Sequence, residues 1–261
     1  MSYREAAPST DVSHLVFSFW EFTTVNEDFG SIGHEIFPDG CVSLFYRRNV
    51  RFNINMLGLS GLNLESVITP VLPNDVFWGM RISPAACANV LRVDPEIFKK
   101  SLMLEAERFP QLTAGLFEKL SDCGNFENAV AIYESHLKEL NVEENASDEK
   151  IVQAIKIIEE NSGEIKISSI AGELNLSVRQ FERRFKKSSG LMPKQFVRTR
   201  RIRAAAVDMV ENARETWANR AAKMGFSDQS HLVHEFVSVT KRSPNSFAEK
   251  IKQIEHGKLV K

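Results

Sequence analysis

Short apolar runs separated by turn residues occupy about the first eighty positions of the chain. Six runs are rich in aromatic and β-branched side chains, and we predict them to be strands: residues 14–22, 32–37, 41–46, 56–59, 66–72 and 76–82. Turn signals divide them, among them Pro38-Asp39-Gly40 and the stretch from Pro70 to Asp75. Several short strands at this spacing are typical of a β-barrel or a β-sandwich.

From Pro84 onwards the apolar positions recur every three or four residues, as they do in amphipathic helices. This periodicity predicts helices over residues 85–92, 95–104, 112–123 and 126–140. Residues 141–149 have one apolar side chain besides alanine and are interpreted as a solvated linker, after which the pattern is helical until His256. The fold class is therefore predicted to be α+β, with a β-rich N-terminal domain (1–145) and an all-α domain (146–261).

The C-terminal half contains an internal repeat. Residues 170–196 match residues 220–247, with Ala171 aligned to Ala221 at an offset of 50 and Phe185 aligned to Phe236 at an offset of 51. The change of offset places one inserted residue in the second turn. Two copies of one unit, without further repeats, exclude a long solenoid array.

Each copy has the parts of a helix-turn-helix. Asn175 and Gly225 are residue types that tolerate a left-handed turn, and each precedes an apolar residue, Leu176 or Phe226. The N-cap of the next helix is then Ser177 in the first copy and Ser227 or Asp228 in the second, and Ser177 with Gln180 forms a capping box. In the helix after the first turn, Val178, Phe181 and Phe185 share a face that we predict to be buried.

Charged side chains occupy the opposite face of that helix: Arg179, Glu182, Arg183 and Lys186. Arginine can donate two hydrogen bonds to guanine in the major groove, so this face suits base reading. A long connecting helix is predicted over residues 193–209, with a proline at its first position and four arginines: Arg198, Arg200, Arg201 and Arg203.

Charge is divided unequally between the two halves. Residues 1–145 carry 11 Lys and Arg against 20 Asp and Glu, a net charge of −9, whereas residues 146–261 carry 22 against 14, a net charge of +8. A basic half beside an acidic half favours contact of one part with a polyanion. The three scattered cysteines, Cys41, Cys87 and Cys123, form no metal or disulfide motif and indicate buried thiols in a reducing cytoplasm.

Several function classes are not favoured by the sequence. No apolar stretch approaches the length of a transmembrane helix, and residues 1–10 lack the features of a secretory signal. No nucleophile, phosphate-binding or zinc-protease motif occurs, so we predict no catalytic residue, no cofactor and no enzyme activity. His34 and Glu35 are adjacent and would face opposite ways on a strand, so we predict no metal site there.

The double motif resembles the AraC/XylS family of bacterial transcription regulators, most clearly in GFSDQSHLVHEF and SPNSF within residues 225–247. The resemblance implies that two recognition helices enter successive major grooves on one face of the DNA, about 34 Å apart. Two residues depart from the family pattern: His234 stands where Arg is usual, and Lys241 where Gly is frequent.

The resemblance also implies DNA-contacting roles for individual residues. The capping pair, Ser177 and Gln180, is counted with them. The DNA-contacting set comprises Ser177, Arg179, Gln180, Glu182, Arg183, Arg184, Lys186, Lys187, Gln229, Ser230, Val233 and His234. Within it, Arg179, Glu182 and Arg183 of the first motif and Gln229 to His234 of the second are expected to read bases. Arg184, Lys186 and Lys187 are expected to contact phosphates, which positions the protein without specifying sequence.

The N-terminal half is interpreted less specifically. Residues 37–46 (FPDGCVSLFY) and 77–91 resemble a cupin-like N-terminal domain found on some AraC-type regulators, with no ligand assigned. Phe37, Asp39 and Trp78 line either a pocket or the core. Apolar runs at residues 129–140 and 151–158 are either core or a dimer seam.

Two functional hypotheses follow. The favoured one is a cytoplasmic transcription regulator, with activation and repression both left open, that binds double-stranded promoter DNA. It is controlled by a small-molecule effector or by homodimerisation, with RNA polymerase as a further partner and no membrane association. The alternative is a regulator whose N-terminal domain binds another protein and no small ligand. A metabolite screen by thermal shift, beside a pull-down, distinguishes them.

Overall fold

Eight strands form the first part of the protein in the computed structural model, which describes residues 1–24, 30–100, 103–140, 142 and 147–252. The strands are β1 (Ser2–Ala6), β2 (Val16–Thr23), β3 (Ile32–Ile36), β4 (Ser43–Asn49), β5 (Ile54–Ser60), β6 (Val67–Val71), β7 (Val76–Ile82) and β8 (Met103–Glu105). Six of them form one sheet in the order β1-β2-β7-β4-β5-β8, while β3 and β6 pair as a separate two-stranded ribbon. All the pairings are antiparallel.

All six strands predicted from the sequence are confirmed, and two were missed. The β1 segment has polar residues at most positions and pairs with β2 at the edge of the sheet, from Ser2 opposite Thr23 to Ala6 opposite Phe19. The β8 segment contributes three residues and falls in a stretch predicted to be helical. Both are edge strands, where the burial that creates a period-two pattern is weakest.

Eleven α-helical segments are assigned within the described residues: α1 (Cys87–Leu91), α2 (Pro110–Thr113), α3 (Leu116–Ser121), α4 (Phe126–Glu139), α5 (Glu149–Glu160), α6 (Ile167–Glu173), α7 (Val178–Ser189), α8 (Pro193–Glu211), α9 (Trp217–Lys223), α10 (Gln229–Thr240) and α11 (Pro244–Lys252). The strand-rich region followed by the helical region confirms the α+β class. The predicted division at residues 145 and 146 stays a proposal.

Two predicted helices and one predicted linker need correction. The predicted helix 95–104 is a 3₁₀ helix at Pro95–Lys100 followed by β8. The predicted helix 112–123 is divided because Gly115 adopts a left-handed conformation (φ 70°) between α2 and α3. The predicted linker 141–149 ends earlier than expected, since Asp148 caps α5 and Glu149 begins it; residues 141 and 143–146 lie outside the described residues.

Buried apolar side chains form two clusters, and their membership does not follow the boundary between β and α regions. The larger cluster runs from Val12 in the N-terminal region to Val197 in α8, so it includes the sheet and the whole first helix-turn-helix unit. The smaller cluster begins at Ile202 in α8 and ends at Phe247 in α11. The change from one cluster to the other therefore occurs within a few residues of the linking helix α8.

The two apolar runs for which a dimer seam was an alternative belong to the larger cluster. In α4, Ala129 and Tyr133 are fully buried, and the Tyr133 hydroxyl donates a hydrogen bond to the carbonyl oxygen of Trp78 at 2.9 Å. In α5, Ile151 and Ile158 are fully buried. These side chains are core.

The three cysteines are also buried as free thiols, and burial raises the pKa of Cys41 and Cys87 above its ordinary value.

Candidate nucleic-acid interface

The first helix-turn-helix unit consists of α6, a tight turn and α7. Asn175 in the turn is left-handed (φ 53°), which matches the tolerance of asparagine for this conformation. The Ser177 hydroxyl accepts the Gln180 backbone N–H at 3.3 Å, and the Gln180 side chain accepts the Ser177 backbone N–H at 2.9 Å. The predicted capping box is thus confirmed. It satisfies two backbone N–H groups at the start of α7.

The second unit repeats this arrangement with α9 and α10. Gly225 is left-handed (φ 66°), and Asp228 is the N-cap, accepting the His231 backbone N–H at 2.8 Å. Of the two N-caps that the sequence allowed, the structure selects Asp228, so Ser227 is the inserted residue of the turn. The Ser227 hydroxyl lies 3.0 Å from His231 Nδ1, which places this imidazole beside the turn.

The repeat extends to the C-terminal ends of both recognition helices. The C-cap residues are Gly190 for α7 (φ 77°) and Lys241 for α10 (φ 59°), and both are left-handed. Just before them, the Ser189 hydroxyl donates to the Phe185 carbonyl oxygen at 2.8 Å, and the Thr240 hydroxyl donates to the Phe236 carbonyl oxygen at 2.9 Å. Lysine at 241 therefore occupies a conformation that glycine adopts with less strain.

Aromatic side chains hold each recognition helix from its inner face. Phe181 and Phe185 are fully buried in α7, with ring centroids 5.7 Å apart, and Phe185 packs against Phe196 of α8 at 5.6 Å. In the second unit Phe236 packs edge-on against Phe247 at 5.2 Å. The inner face is as predicted except for Val178.

Val178 was predicted to be buried, and this prediction was wrong. The side chain is 41% exposed. Val178 is the first residue of α7, and at that position the helix extends past the apolar cluster that covers Phe181 one turn later. The period of the apolar residues was correct, but it does not show where along the helix the core ends.

The outer face of α7 is strongly cationic. The helix carries five Lys and Arg side chains against one Glu. Arg179, Arg183 and Lys187 are exposed, and Glu182 is half-buried. Within the described part of the chain, neither Arg179 nor Arg183 forms an ion pair, so their guanidinium groups are available to an external acceptor.

Two of the predicted phosphate contacts have carboxylate partners in this structure. Arg184 Nε lies 2.5 Å from Asp148 Oδ2 and its Nη2 lies 2.6 Å from Asp148 Oδ1, a two-point contact that connects α7 to the N-cap of α5. The Asp148 hydrogen bonds raise the pKa of Arg184. Lys186 Nζ lies 3.0 Å from Glu96 in the 3₁₀ helix of the N-terminal region, and both side chains are more than 40% exposed.

The second recognition helix presents a different chemistry. Residues Gln229–Thr240 include no Lys or Arg. Gln229, Ser230 and His234 are exposed and Val233 is half-buried, so the predicted base-reading set of α10 lies along one accessible side. This helix exposes amide, hydroxyl and imidazole groups and partly exposes a valine side chain, whereas α7 exposes guanidinium groups.

The arginines of α8 connect elements within the protein. Arg198 Nε lies 2.5 Å from Glu235 Oε2, and the same guanidinium donates to the Ser238 hydroxyl, so α8 contacts α10 at two points. Arg201 stacks over the Phe226 ring with 4.5 Å to its centroid. Arg200 donates to Glu159 in α5. These side chains fix the second unit and α5 on the linking helix.

A further polar cluster joins α8 to α9. Arg220 Nε lies 2.8 Å from Asp208 Oδ2, and Lys223 Nζ lies 2.6 Å from Asp208 Oδ1. Burial opposes ionisation of Asp208, but the hydrogen bonds from Lys223 and Arg220 outweigh it and lower the pKa of this carboxyl. Sequence reasoning missed these contacts and that of Asp148 with Arg184, because their partners are 12 to 36 positions apart.

The N-terminal residues considered as pocket lining make internal contacts. Trp78 is 2% exposed and donates from Nε1 to Glu21 at 2.9 Å. Asp39 accepts a hydrogen bond from Arg81. Burial opposes ionisation of Asp39, but the neighbouring charges of Arg81 and Arg203 outweigh it and lower its pKa. Phe37 packs against Phe247 of α11 at 5.4 Å.

His34 and Glu35 point to different partners, as their adjacent strand positions require. The His34 ring stacks on Phe22 with centroids 4.2 Å apart, while Glu35 Oε2 lies 2.5 Å from Arg242 Nε. Across the described ranges, no group of three or more His, Cys, Asp or Glu side chains is placed to hold a metal ion. No helix among the described residues has the length and apolar character needed to cross a membrane.

A family model described as a helix-turn-helix domain matches residues 170–250, which contain both units. A comparison with curated proteins gives no match. Among solved structures, the chain is similar to ToxT from Vibrio cholerae O395, at 12% identity over 98% of this chain and 99% of that one, with a TM-score of 0.44. It is also similar to the C-terminal domain of AraT, a response regulator from Geobacillus stearothermophilus, at 19% identity over 40% and 86% of the two chains, with a TM-score of 0.36.

A third similar structure is a transcriptional regulator with an AraC-type DNA-binding domain from Chromobacterium violaceum, at 22% identity over 39% of this chain and 90% of that one, with a TM-score of 0.35. With TM-scores below 0.5, these likenesses assign neither a ligand nor a partner to the present chain. The family match and the repeated geometry define a DNA-binding helix-turn-helix protein. Residues 170–250 are therefore a helix-turn-helix domain, and the motifs that resemble AraC/XylS regulators lie within them.

Proposed function

We propose that the protein is a sequence-specific transcription regulator that reads two successive major grooves of promoter DNA with α7 and α10, and that it is not an enzyme. The observation that carries this proposal is the repeated pair of recognition helices. Each has a capped N-terminal end, a buried aromatic inner face and an exposed polar outer face. The linking helix α8 has 19 residues, roughly 28 Å of rise, which is compatible with a separation near one turn of B-DNA.

The two helices divide the work of binding. Because α7 carries five cationic side chains and α10 none, the first motif supplies most of the phosphate attraction and the guanine-directed contacts. Arg179 and Arg183 read bases, with Glu182 as an acceptor beside them. Gln229, Ser230, Val233 and His234 read the second groove through single hydrogen bonds and methyl contact.

The N-terminal region controls this activity in the cytoplasm through a small-molecule effector or through homodimerisation, with RNA polymerase as a downstream partner. Two ion pairs support this proposal. Glu96 of the N-terminal region contacts the C-terminal part of α7, and Glu65 contacts the C-terminal end of α10. A change in the N-terminal region therefore reaches both recognition helices directly. A region that binds another protein instead would act through the same contacts.

The test replaces Arg183 by alanine in the full chain. Duplexes are first selected from a random library with the native protein, and affinities are then measured on the selected site and on single-base variants. Loss of a bidentate contact to guanine should reduce affinity for the selected site by about 1–3 kcal/mol and relax preference at one base pair.

The matched control is Lys156→Ala, which removes one cation from α5, where Lys156 is 76% exposed. This variant should retain the base preference of the native protein. Equal losses on all duplexes for Arg183→Ala would show that Arg183 contacts phosphate alone. Failure of the native protein to enrich any sequence would refute specific DNA binding.

A further inference from the structure

The two helix-turn-helix units are attached to the N-terminal region in different ways. The first unit shares a continuous apolar core with it, since Phe181, Phe185 and Phe196 belong to the cluster that contains Trp78. The close fit extends to Gly190 at the end of α7. A Cβ there would lie 2.8 Å from the Pro95 backbone and 2.9 Å from the Leu62 side chain.

The second unit has its own apolar cluster. Among the described residues, Phe37 is the N-terminal side chain packed against that cluster. The structure also shows polar contacts from the second unit to the β3–β6 ribbon and to the residues just before β6, here termed the polar seam. The polar seam consists of Glu35 with Arg242 at 2.5 Å, Glu65 with Lys241 at 2.8 Å, and the Ser66 backbone N–H donating to the Val239 carbonyl oxygen at 2.8 Å.

We propose that the polar seam positions the second recognition helix, with Glu35 and Glu65 as positioning residues for α10, while the first recognition helix is fixed by the shared core. Lys241 and Arg242 follow α10 directly, so their ion pairs hold its C-terminal end. Arg203 of α8 lies close to the point where the two apolar clusters meet, and its Nη2 is 3.6 Å from Glu5 Oε1.

The physical reason for this asymmetry is the different cost of opening the two attachments. Opening the first unit would expose several fully buried aromatic rings to water, which the hydrophobic effect opposes strongly. Opening the polar seam uncovers the Phe37 contact and exchanges ion pairs and one backbone hydrogen bond for contacts with water, which together cost less than exposing the shared core. The second unit can therefore move on the ribbon as a subglobal opening while the first stays in place.

The inference rests on the proposed function for the role of α10 in reading DNA, but its test needs no DNA. Hydrogen–deuterium exchange is measured on the full chain for Glu35→Gln and Glu65→Gln. Glu35 is 6% exposed, and its substitution should accelerate exchange in α9 and α10 about tenfold. Glu65 is 58% exposed, and its substitution should accelerate exchange there about twofold to fivefold.

Two substitutions with the same change of charge serve as controls. Glu96→Gln removes the ion pair to Lys186 of the first unit and should leave exchange in α7 unchanged, because the shared core holds that helix. Glu118→Gln removes an exposed carboxylate from α3 and should leave exchange in α9 and α10 unchanged.

Native exchange rates in α9 and α10 for both seam variants would overturn the proposal. Equal acceleration in α7 and α10 would also overturn it, because that result shows general destabilisation. Binding of the native protein to selected duplexes is measured on the same preparation. Absence of binding would refute the proposed function without altering the exchange result, so the two failures are distinguishable.

Discussion

Truncation of Phe236 to alanine tests whether the second unit has a core of its own. Phe236 is fully buried and packs against Phe247, in a cluster of 11 buried residues. A buried Phe→Ala change costs about 3–5 kcal/mol through lost transfer energy and the cavity left behind. Against a typical unfolding free energy of about 5–15 kcal/mol, this is a large fraction for such a small cluster.

The location of the damage is the second part of this prediction. Because Phe236 and Phe185 lie in different clusters, Phe236→Ala should accelerate hydrogen exchange in α9 and α10 while α7 keeps its protection. The assay combines urea unfolding, followed by circular dichroism, with peptide-resolved exchange. Val237→Ala is the matched control on the same helix. Its side chain is 38% exposed, and the expected change is within about 0.5 kcal/mol.

Two results would refute this reasoning. A loss below about 1 kcal/mol for Phe236→Ala would show that the buried face of α10 is assigned wrongly. Parallel loss of protection in α7 and α10 would show that the two clusters unfold as one. Phe185→Ala should cost a similar 3–5 kcal/mol, but with loss of protection extending into the N-terminal region, since its cluster continues there.

Two further predictions concern DNA binding. Lys187→Ala should weaken binding to every duplex to a similar extent, because Lys187 is exposed on the cationic helix. The slope of log binding constant against log salt concentration should become flatter by about 0.9. A base-specific effect would contradict the assignment of Lys187 to phosphate. His234→Arg should enrich guanine at one position of the selected site, because a bidentate donor replaces an imidazole edge on the exposed side of α10; selection without guanine enrichment would remove His234 from the base-reading set.

Local signals in the sequence predicted the helix-turn-helix units well. The left-handed turn residues Asn175 and Gly225 and the Ser177–Gln180 capping box depend on residues next to each other in the chain, and the structure confirms them. The choice between Ser227 and Asp228 was left open because both can accept the required hydrogen bond. The wrong prediction for Val178 has a different cause. Apolar periodicity shows which face of a helix is buried, but it does not show how many residues of that face the core covers.

Long-range contacts were beyond the reach of the sequence. The pairing of Glu35 with Arg242 joins residues 207 positions apart, and no local pattern marks two such side chains as partners. The same holds for Lys186, which sequence reasoning assigned to phosphate and which the structure places beside Glu96. Charge asymmetry between the halves indicated that one half suits a polyanion, but it gave no sign that carboxylates of the acidic half contact cations of the basic half.

The positions of these contacts along α7 and α10 explain how the N-terminal region can hold both helices without covering their N-terminal turns. Arg179 and Gln229 lie in the first turns of α7 and α10 and are exposed. Glu96 contacts α7 two turns later, at Lys186, and Glu65 contacts Lys241 after the last residue of α10. Base reading relies mainly on the N-terminal part of a recognition helix. Under the proposed function, each helix would thus be held by one end and would read with the other. If the polar seam yields before the shared core, as proposed, a shift of the N-terminal region changes the angle at which α10 meets the groove more readily than that of α7.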